Sequence, residues 1–329
     1  MSLPSVLQNS LTLPVICSPL FIISNPDLVI AQCKAGVVGS FPALNARPAE
    51  ELDVWLERIT RELAEYKAQN PDAVVAPFAV NQIVHSSNDR LQHDVEMCVK
   101  YKVPIIITSL RAPNDVVEPI HSYGGLVFHD VINVKHAKKA IEAGVDGLIL
   151  VCAGAGGHAG QLSPFALVSE IREFYDGPII LSGSISKGEQ ILAAQAMGAD
   201  LAYMGTRFIA THEANADQAY KQMLVDTSAD DIVYSNLFTG VHGNYLKPSI
   251  QNAGMDPNNL PEGDKSTMKF GSGGSSKTKA WRDIWGAGQG VGSIGAITST
   301  AEAVSKLEQE YASARARMQA IASPYGEQA

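Results

Sequence analysis

Short apolar runs alternate with longer stretches of helical periodicity through the first two thirds of the chain. The runs cover residues 15–17, 37–40, 74–80, 104–108, 126–131, 147–151, 178–181 and 201–204. They are continuous rather than alternating, which is the pattern of strands covered on both faces. Residues 49–69, 89–101, 134–143, 165–175 and 188–197 lie between them and carry apolar positions at helical spacing. Strands alternating with helices predict a parallel α/β fold.

The ends of the runs separate a barrel from an open sheet. Ser18, Asn81, Ser109, Asp130, a glycine run after Val151, Ser182 and Gly205 all sit at or just past a strand end. In a (β/α)8 barrel these ends converge on one rim, where the site is built. In an open sheet only the crevice at the switch point would be furnished in this way. The expected fold is a TIM (β/α)8 barrel.

The pattern changes after the eighth run. Residues 216–225 are helical, and 226–279 are richer in Asn, Gly, Pro and Ser, ending in a glycine-serine tract at 271–276. Apolar chain returns at 281–297, and 301–322 read as a closing helix. The expected organisation is a barrel of residues 1–214 plus 280–329, with 215–279 inserted after strand eight as a small lid or second domain whose tract is mobile. That tract, GSGGSSKT at 271–278, falls short of a phosphate loop: Ser276 stands where the second glycine belongs, and no strand precedes it.

Composition narrows the function classes. Of 329 residues, 46% are hydrophobic and 18% charged, enough for a large core and unlike a disordered chain. A net charge of -9 argues against a nucleic-acid partner, which needs a basic face. Cys17, Cys33, Cys98 and Cys152 have no metal-binding spacing and are expected as buried, reduced thiols. Residues 11–23 contain two prolines with no Lys or Arg before them, and no run reaches the ~20 apolar residues of a membrane helix. A cytoplasmic location without a membrane partner is expected.

Three segments carry candidate chemistry. Ser182, Gly183 and Ser184 follow the seventh strand, and Gly205 and Thr206 follow the eighth. Small residues at these two strand ends suit backbone contact with a phosphate, although tight turns alone also demand glycine. The third segment is CAGAGGHAG at 152–160, where four glycines leave room for a flat ligand. Within it His158 alone can exchange a proton near neutral pH, while a structural histidine is the bland alternative. Asn81 can donate to and accept from a ring edge, or serve as a cap.

These residues carry a family resemblance. AGGHAG at 155–160 and MGTRFIAT at 204–211 are similar to motifs of the nitronate monooxygenases (formerly 2-nitropropane dioxygenases) and their NAD(P)H-dependent flavin and quinone oxidoreductase relatives. PVICSP at 14–19, AGVVG at 35–39 and FAVN at 78–81 add to it. The resemblance implies FMN as cofactor, with its phosphate on Ser182, Gly183, Ser184, Gly205 and Thr206. It implies Pro19, Leu20, Asn81 and Gly157 along the ring and ribityl chain, Asp130 near the pyrimidine, and Gln289 near flavin or substrate. It makes His158 the catalytic residue and a nitronate or nitroalkane with O2 the substrates. NAD(P)H as reductant and a homodimer stay open.

Three positions depart from the family pattern. Gly154 replaces a customary acid, Ser184 a frequent glycine, and Asp130 a Gln or Lys. An NAD(P)H-dependent FMN reductase of quinones or enoyl thioesters is the first rival function, and a non-redox phosphate-binding barrel the second.

Overall fold

The computed structural model describes residues 3–263 and 283–321. The glycine-serine tract expected to be mobile lies outside these described residues.

Among the described residues eight parallel strands form one sheet. They are β1 (Val15–Cys17), β2 (Gly39–Pro42), β3 (Phe78–Val84), β4 (Ile105–Leu110), β5 (Leu126–Val131), β6 (Gly147–Val151), β8 (Ile179–Ser182) and β9 (Leu201–Met204). Their order is β1-β9-β8-β6-β5-β4-β3-β2. The two ends meet: Ile16 pairs with Val38, the Cys17 N–H donates to Val38 O at 2.8 Å, and the Val38 N–H donates to Val15 O at 3.1 Å. The sheet is therefore a closed TIM barrel without free edges.

The barrel interior follows from strand parity. Ile16, Ala79, Ile107, Phe128, Ile149 and Ile180 share one buried cluster, joined by Leu7 from the short helical turn ahead of β1. Successive side chains of a strand point to opposite faces. The inward positions two residues further on are Asn81, Ser109, Asp130, Val151 and Ser182. The same face that makes the apolar plug thus becomes polar at its C-terminal end.

Outside, a second cluster joins strand residues such as Val80, Ile106 and Leu148 to the apolar faces of the helices. Helices α2 (Glu51–Gln69), α3 (Leu91–Lys100), α5 (Val134–Glu142), α6 (Pro164–Arg172) and α7 (Gly188–Ala196) match the expected segments to within about three residues at each end. Helices α1 (Pro26–Lys34) and α4 (Asn114–His121) were not expected; α4 contains Pro119, which masks its periodicity. Strand β3 begins at Phe78 rather than 74, because Pro77 has no N–H for the ladder.

After β9 the chain makes the short α8 (Thr206–Ile209), then α9 (Gln218–Asp226), β10 (Ile232–Ser235), β11 (Gly243–Leu246) and α10 (Lys247–Asn252). Strands β10 and β11 pair antiparallel, and β11 also pairs with β7 (Gly157–His158), which belongs to the loop after β6. The segment after the eighth barrel strand is thus hydrogen-bonded directly to the loop that carries the candidate histidine. The four cysteines are free and buried, and burial pushes the Cys33, Cys98 and Cys152 thiols up to about 12. No helix among the described residues is long and apolar enough to cross a membrane.

Helix α11 (Thr300–Ala320) opens with a capping box between Ser299 and Glu302 and packs across α7. The contact depends on Gly188, whose N–H donates to Glu310 Oε2 at 2.9 Å. A Cβ there would lie 2.2 Å from Leu307 O and from Tyr311 N. Gly188→Ala should therefore cost about 1–3 kcal/mol, the usual range for overpacking, read as a lower urea midpoint. Gly295→Ala, where nothing lies within 4 Å, should stay within about 0.5 kcal/mol of wild type. Equal midpoints for the two variants would refute the close-approach account.

Candidate active site

A cavity of about 760 Å3 opens above the C-terminal ends of the barrel strands. Its walls come from every part of the rim: Ser18, Pro19 and Leu20 after β1, Asn81 in β3, Asp130 in β5, the loop after β6, and the turns after β8 and β9. The volume lies within the ~300–1,000 Å3 typical of small-molecule sites.

One wall is backbone. Gly183 has φ +132, and a Cβ there would sit 2.7 Å from Ala153 O. At Gly156 a Cβ would sit 2.8 Å from Gly288 N and 3.1 Å from Thr206 Oγ1. Neither position accepts a side chain, so the loops after β6 and β8 and the returning segment approach one another through bare backbone. Thr206 Oγ1 accepts the Gly288 N–H at 2.9 Å, which leaves the hydroxyl proton to be donated elsewhere.

His158, half-buried, also lines the cavity. Its Nε2 is 2.9 Å from Thr239 Oγ1, and the Thr239 hydroxyl donates to Val241 O at 2.9 Å. A hydrogen on Nε2 donated to Thr239 Oγ1 is compatible with that arrangement. Burial pulls the His158 pKa down to about 4. The ring is neutral at pH 7, which favours a base over a cation that holds an anion by charge.

The floor is a polar chain. Asn81 Nδ2 donates to Ile107 O at 3.1 Å and to Ser109 Oγ at 2.9 Å. Ser109 Oγ in turn donates to Asp130 Oδ2 at 2.6 Å. Asp130 as a residue keeps some exposure toward the cavity, yet its Oδ1 is shut off from solvent and has no hydrogen-bond partner among the described residues. Burial raises its pKa to about 7, opposed by the Ser109 hydrogen bond.

The cavity brings together Pro19, Leu20, Asn81, Asp130, Gly157, His158, Ser182, Gly183, Ser184, Gly205 and Thr206, all expected from the sequence. Gln289 is the exception. It is exposed and lies outside the lining, and its segment reaches the cavity through Gly288 and Gly290. Its neighbourhood joins two of the family departures. Ser184 is a non-glycine residue at φ +57, and a Cβ on Gly154 would lie 2.1 Å from Ser184 Oγ and 2.9 Å from Gln289 Oε1. The bare Gly154 makes room for the serine, so the two departures are one feature.

Sequence reasoning missed Thr239, Tyr203 and Arg47, which also line the cavity. Tyr203 was legible from parity, two residues after the inward Leu201. Thr239 gives no local signal, because it meets His158 across 81 residues of chain.

Comparison with known proteins agrees with this geometry. The profile of the nitronate monooxygenase family matches residues 6–310. A nitronate monooxygenase from Paraburkholderia phytofirmans is 25% identical over 90% of this chain and 92% of its own length. A Rhodococcus jostii dehydrogenase of a hydroxy-methyl-oxo-octahydroindene-carboxyl-CoA is 24% identical over 73% of this chain, a match that spans 64% of that relative. The crystal structure of nitroalkane oxidase from Streptomyces ansochromogenes superposes with a TM-score of 0.75 at 21% identity, covering 95% of this chain and all of that one, and shows the shared fold. With the rim, the glycine wall and the histidine loop in one cavity, the chain belongs to the nitronate monooxygenase family of flavin-dependent oxidoreductases.

Proposed function

We propose that this protein oxidises alkyl nitronates with FMN as cofactor and O2 as acceptor, giving a carbonyl compound and nitrite. The observation that carries the reading is a half-buried His158, its pKa pulled down to about 4, lining the same cavity as backbone positions that accept no side chain. The residues present fit an FMN. Ser182, Gly183, Ser184, Gly205 and Thr206 take the phosphate on N–H and hydroxyl donors, and the Thr206 proton is available for it. Pro19, Leu20, Asn81 and Gly157 flank the ring and ribityl chain, and Asp130 lies at the floor. When bound, the flavin supplies electron transfer between substrate and O2.

The chain's own residues place the substrate and handle its proton. His158 takes the α-proton of a neutral nitroalkane, and its contact with Thr239 at 2.9 Å orients the ring. A pre-formed nitronate has already lost that proton and needs only placement. Thr239 and Val241 between β10 and β11, with the stacked rings of Tyr220 and Trp285 4.8 Å apart, line the cavity beside it and limit water. In this reading the described part of the inserted segment, residues 215–263, acts as a lid over the barrel, the rest of the expected 215–279 insertion lying outside the described residues.

The CoA dehydrogenase among the relatives favours a second reading, NAD(P)H-dependent reduction of a quinone or enoyl thioester over the same cradle. Anaerobic mixing with NADH and NADPH separates the two. Prompt bleaching of the flavin favours the reductase, and a stable yellow protein that consumes O2 with alkyl nitronates supports the monooxygenase.

Two outcomes follow from the site. Gly205→Asp and Thr206→Glu put a carboxylate against the phosphate, and both should give folded protein largely stripped of FMN. Full flavin occupancy in both would move the phosphate elsewhere. His158→Asn should retain FMN and lose about 10²–10⁴-fold of activity on neutral nitroalkanes, with a much smaller loss on nitronates. Because the His158 pKa is depressed to about 4, wild-type activity on freshly dissolved nitroalkane should persist below pH 6 and fall only near pH 4. A stable, flavin-loaded Asn variant with wild-type turnover on every substrate would contradict the assignment of His158.

A further inference from the structure

Two apolar residues of the cavity lining hold backbone conformations that ordinary side chains rarely adopt. Ile22, in the turn after β1, has φ +69, and Leu110, the last residue of β4, has φ +81. Glycine enters this left-handed region freely, whereas a bulky or β-branched residue there is a steric outlier. The turn at Ile22 is held from two sides. Its N–H donates to Asn45 Oδ1 at 2.9 Å, and its carbonyl accepts from Asn215 Nδ2 at 3.0 Å. Asn45 Nδ2 also donates to Leu20 O and to Ser24 O, each at 2.9 Å. Strain of this kind persists only where the surroundings over-determine it, and it concentrates at functional sites.

The strain does not serve the core. The next residue, Ile23, is buried in the cluster around Leu28 and Leu246, but Ile22 stays 38% exposed and lines the cavity. Leu110 and Ile132, at the ends of β4 and β5, are likewise 38% exposed and line it. In the closed ring of strands β1 lies across from β5, so Ile22 and Ile132 flank the mouth from opposite sides. Ile132 also packs on the histidine loop: a Cβ on Gly160 would lie 3.0 Å from Ile132 Cβ. Half-buried Ile83 of β3 continues the same lining. Apolar surface thus extends from the loop of His158 to the mouth and is left partly open, as in a groove that awaits a ligand.

We propose that Ile22, Leu110 and Ile132 bind an unbranched aliphatic chain of the substrate, so that the enzyme selects nitronates whose chain extends from the reacting carbon at His158 to the mouth. The inference rests on the nitronate reading above and deepens it. A short nitronate leaves this apolar surface in water. A long chain covers it, and each methylene buried adds to binding. The left-handed turns have a role in this: they keep Ile22 and Leu110 out of the core and available to the ligand.

The test uses the FMN-loaded protein and straight-chain carboxylates from propanoate to nonanoate, whose planar anionic head resembles a nitronate. Calorimetric dissociation constants of wild type should tighten about 2- to 4-fold per methylene. Ile22→Asn and Leu110→Asn put a residue that tolerates the left-handed region in place of the apolar side chain. Each should lower the preference for nonanoate over propanoate about 3- to 10-fold. The urea midpoint of each should equal or exceed that of wild type, because the strained side chain is gone. A lowered midpoint with equal loss across the series, the signature of a structural role, overturns the inference. So does a wild-type affinity that does not change with chain length. The nitronates of nitroethane through nitrooctane separate the inference from the reading beneath it. Turnover with a kcat/KM indifferent to chain length overturns the inference alone. Chain-dependent binding of the carboxylates without turnover of any nitronate upholds the chain subsite and overturns the nitronate reading.

Discussion

Every second side chain of each barrel strand is directed inward, and closure of the sheet forces all those positions to share one narrow space. The lower levels are filled by residues such as Ala79, Ile107, Phe128 and Ile180, which need no partners. The next positions up the same faces are Asn81, Ser109, Asp130 and Ser182, and they have no freedom to turn away. Their polarity is satisfied mutually where it can be, through Asn81 to Ser109 to Asp130, and the remainder faces the cavity. The site is thus an extension of the core, built on the same register and as rigid as the strands beneath it.

The histidine is positioned by a different device. Its loop has too many glycines to hold a side chain in place alone, and the chain beyond β9 supplies the missing constraint. Pairing of Gly243 with His158 and of Asn244 with Gly157 makes the loop the third strand of a small sheet. Asn244 Nδ2 adds a 2.6 Å bond to Ala155 O, and Thr239 contacts the imidazole at 2.9 Å. Residues after the barrel therefore orient a side chain from its middle. Strain in the β10–β11 hairpin would be felt at His158 before it was felt in the barrel.

Much of this was legible in the sequence. Continuous apolar runs marked the strands, and the polar residues at their ends marked the rim, because both follow from local parity and burial. The small residues that line the cavity after β8 and β9 were recognisable at two consecutive strand ends. What could not be read depended on long-range partners or on backbone that hides its periodicity. Thr239 and Arg47 have no signature of their own, α4 is obscured by Pro119, and β10 and β11 exist by pairing with each other and with two residues of a distant loop. Gln289 itself is exposed and outside the cavity lining, while its flanking glycines Gly288 and Gly290 are in it.

Burial acts on His158 and Asp130, two of the titratable groups that line the cavity, in opposite senses, and this has a consequence for stability. His158 is depressed from 6.5 to about 4, so the folded state binds fewer protons than the unfolded one between these values. Its contribution is complete above pH 6.5 and is lost as pH falls toward 4. Asp130 is raised from 3.8 to about 7, so the folded state binds more protons across that interval. Its contribution is complete below about pH 4 and is lost as pH rises through 7. Where the intervals overlap, from about pH 4 to 6.5, the slopes have opposite sign and offset each other. The cavity can then keep a neutral base and a neutral acid together in mildly acidic solution without a steep pH dependence of folding. Neither of these two groups is then ionised toward an anionic ligand, and hydroxyls and backbone dipoles near them, together with Arg47 elsewhere in the lining, are left to receive it.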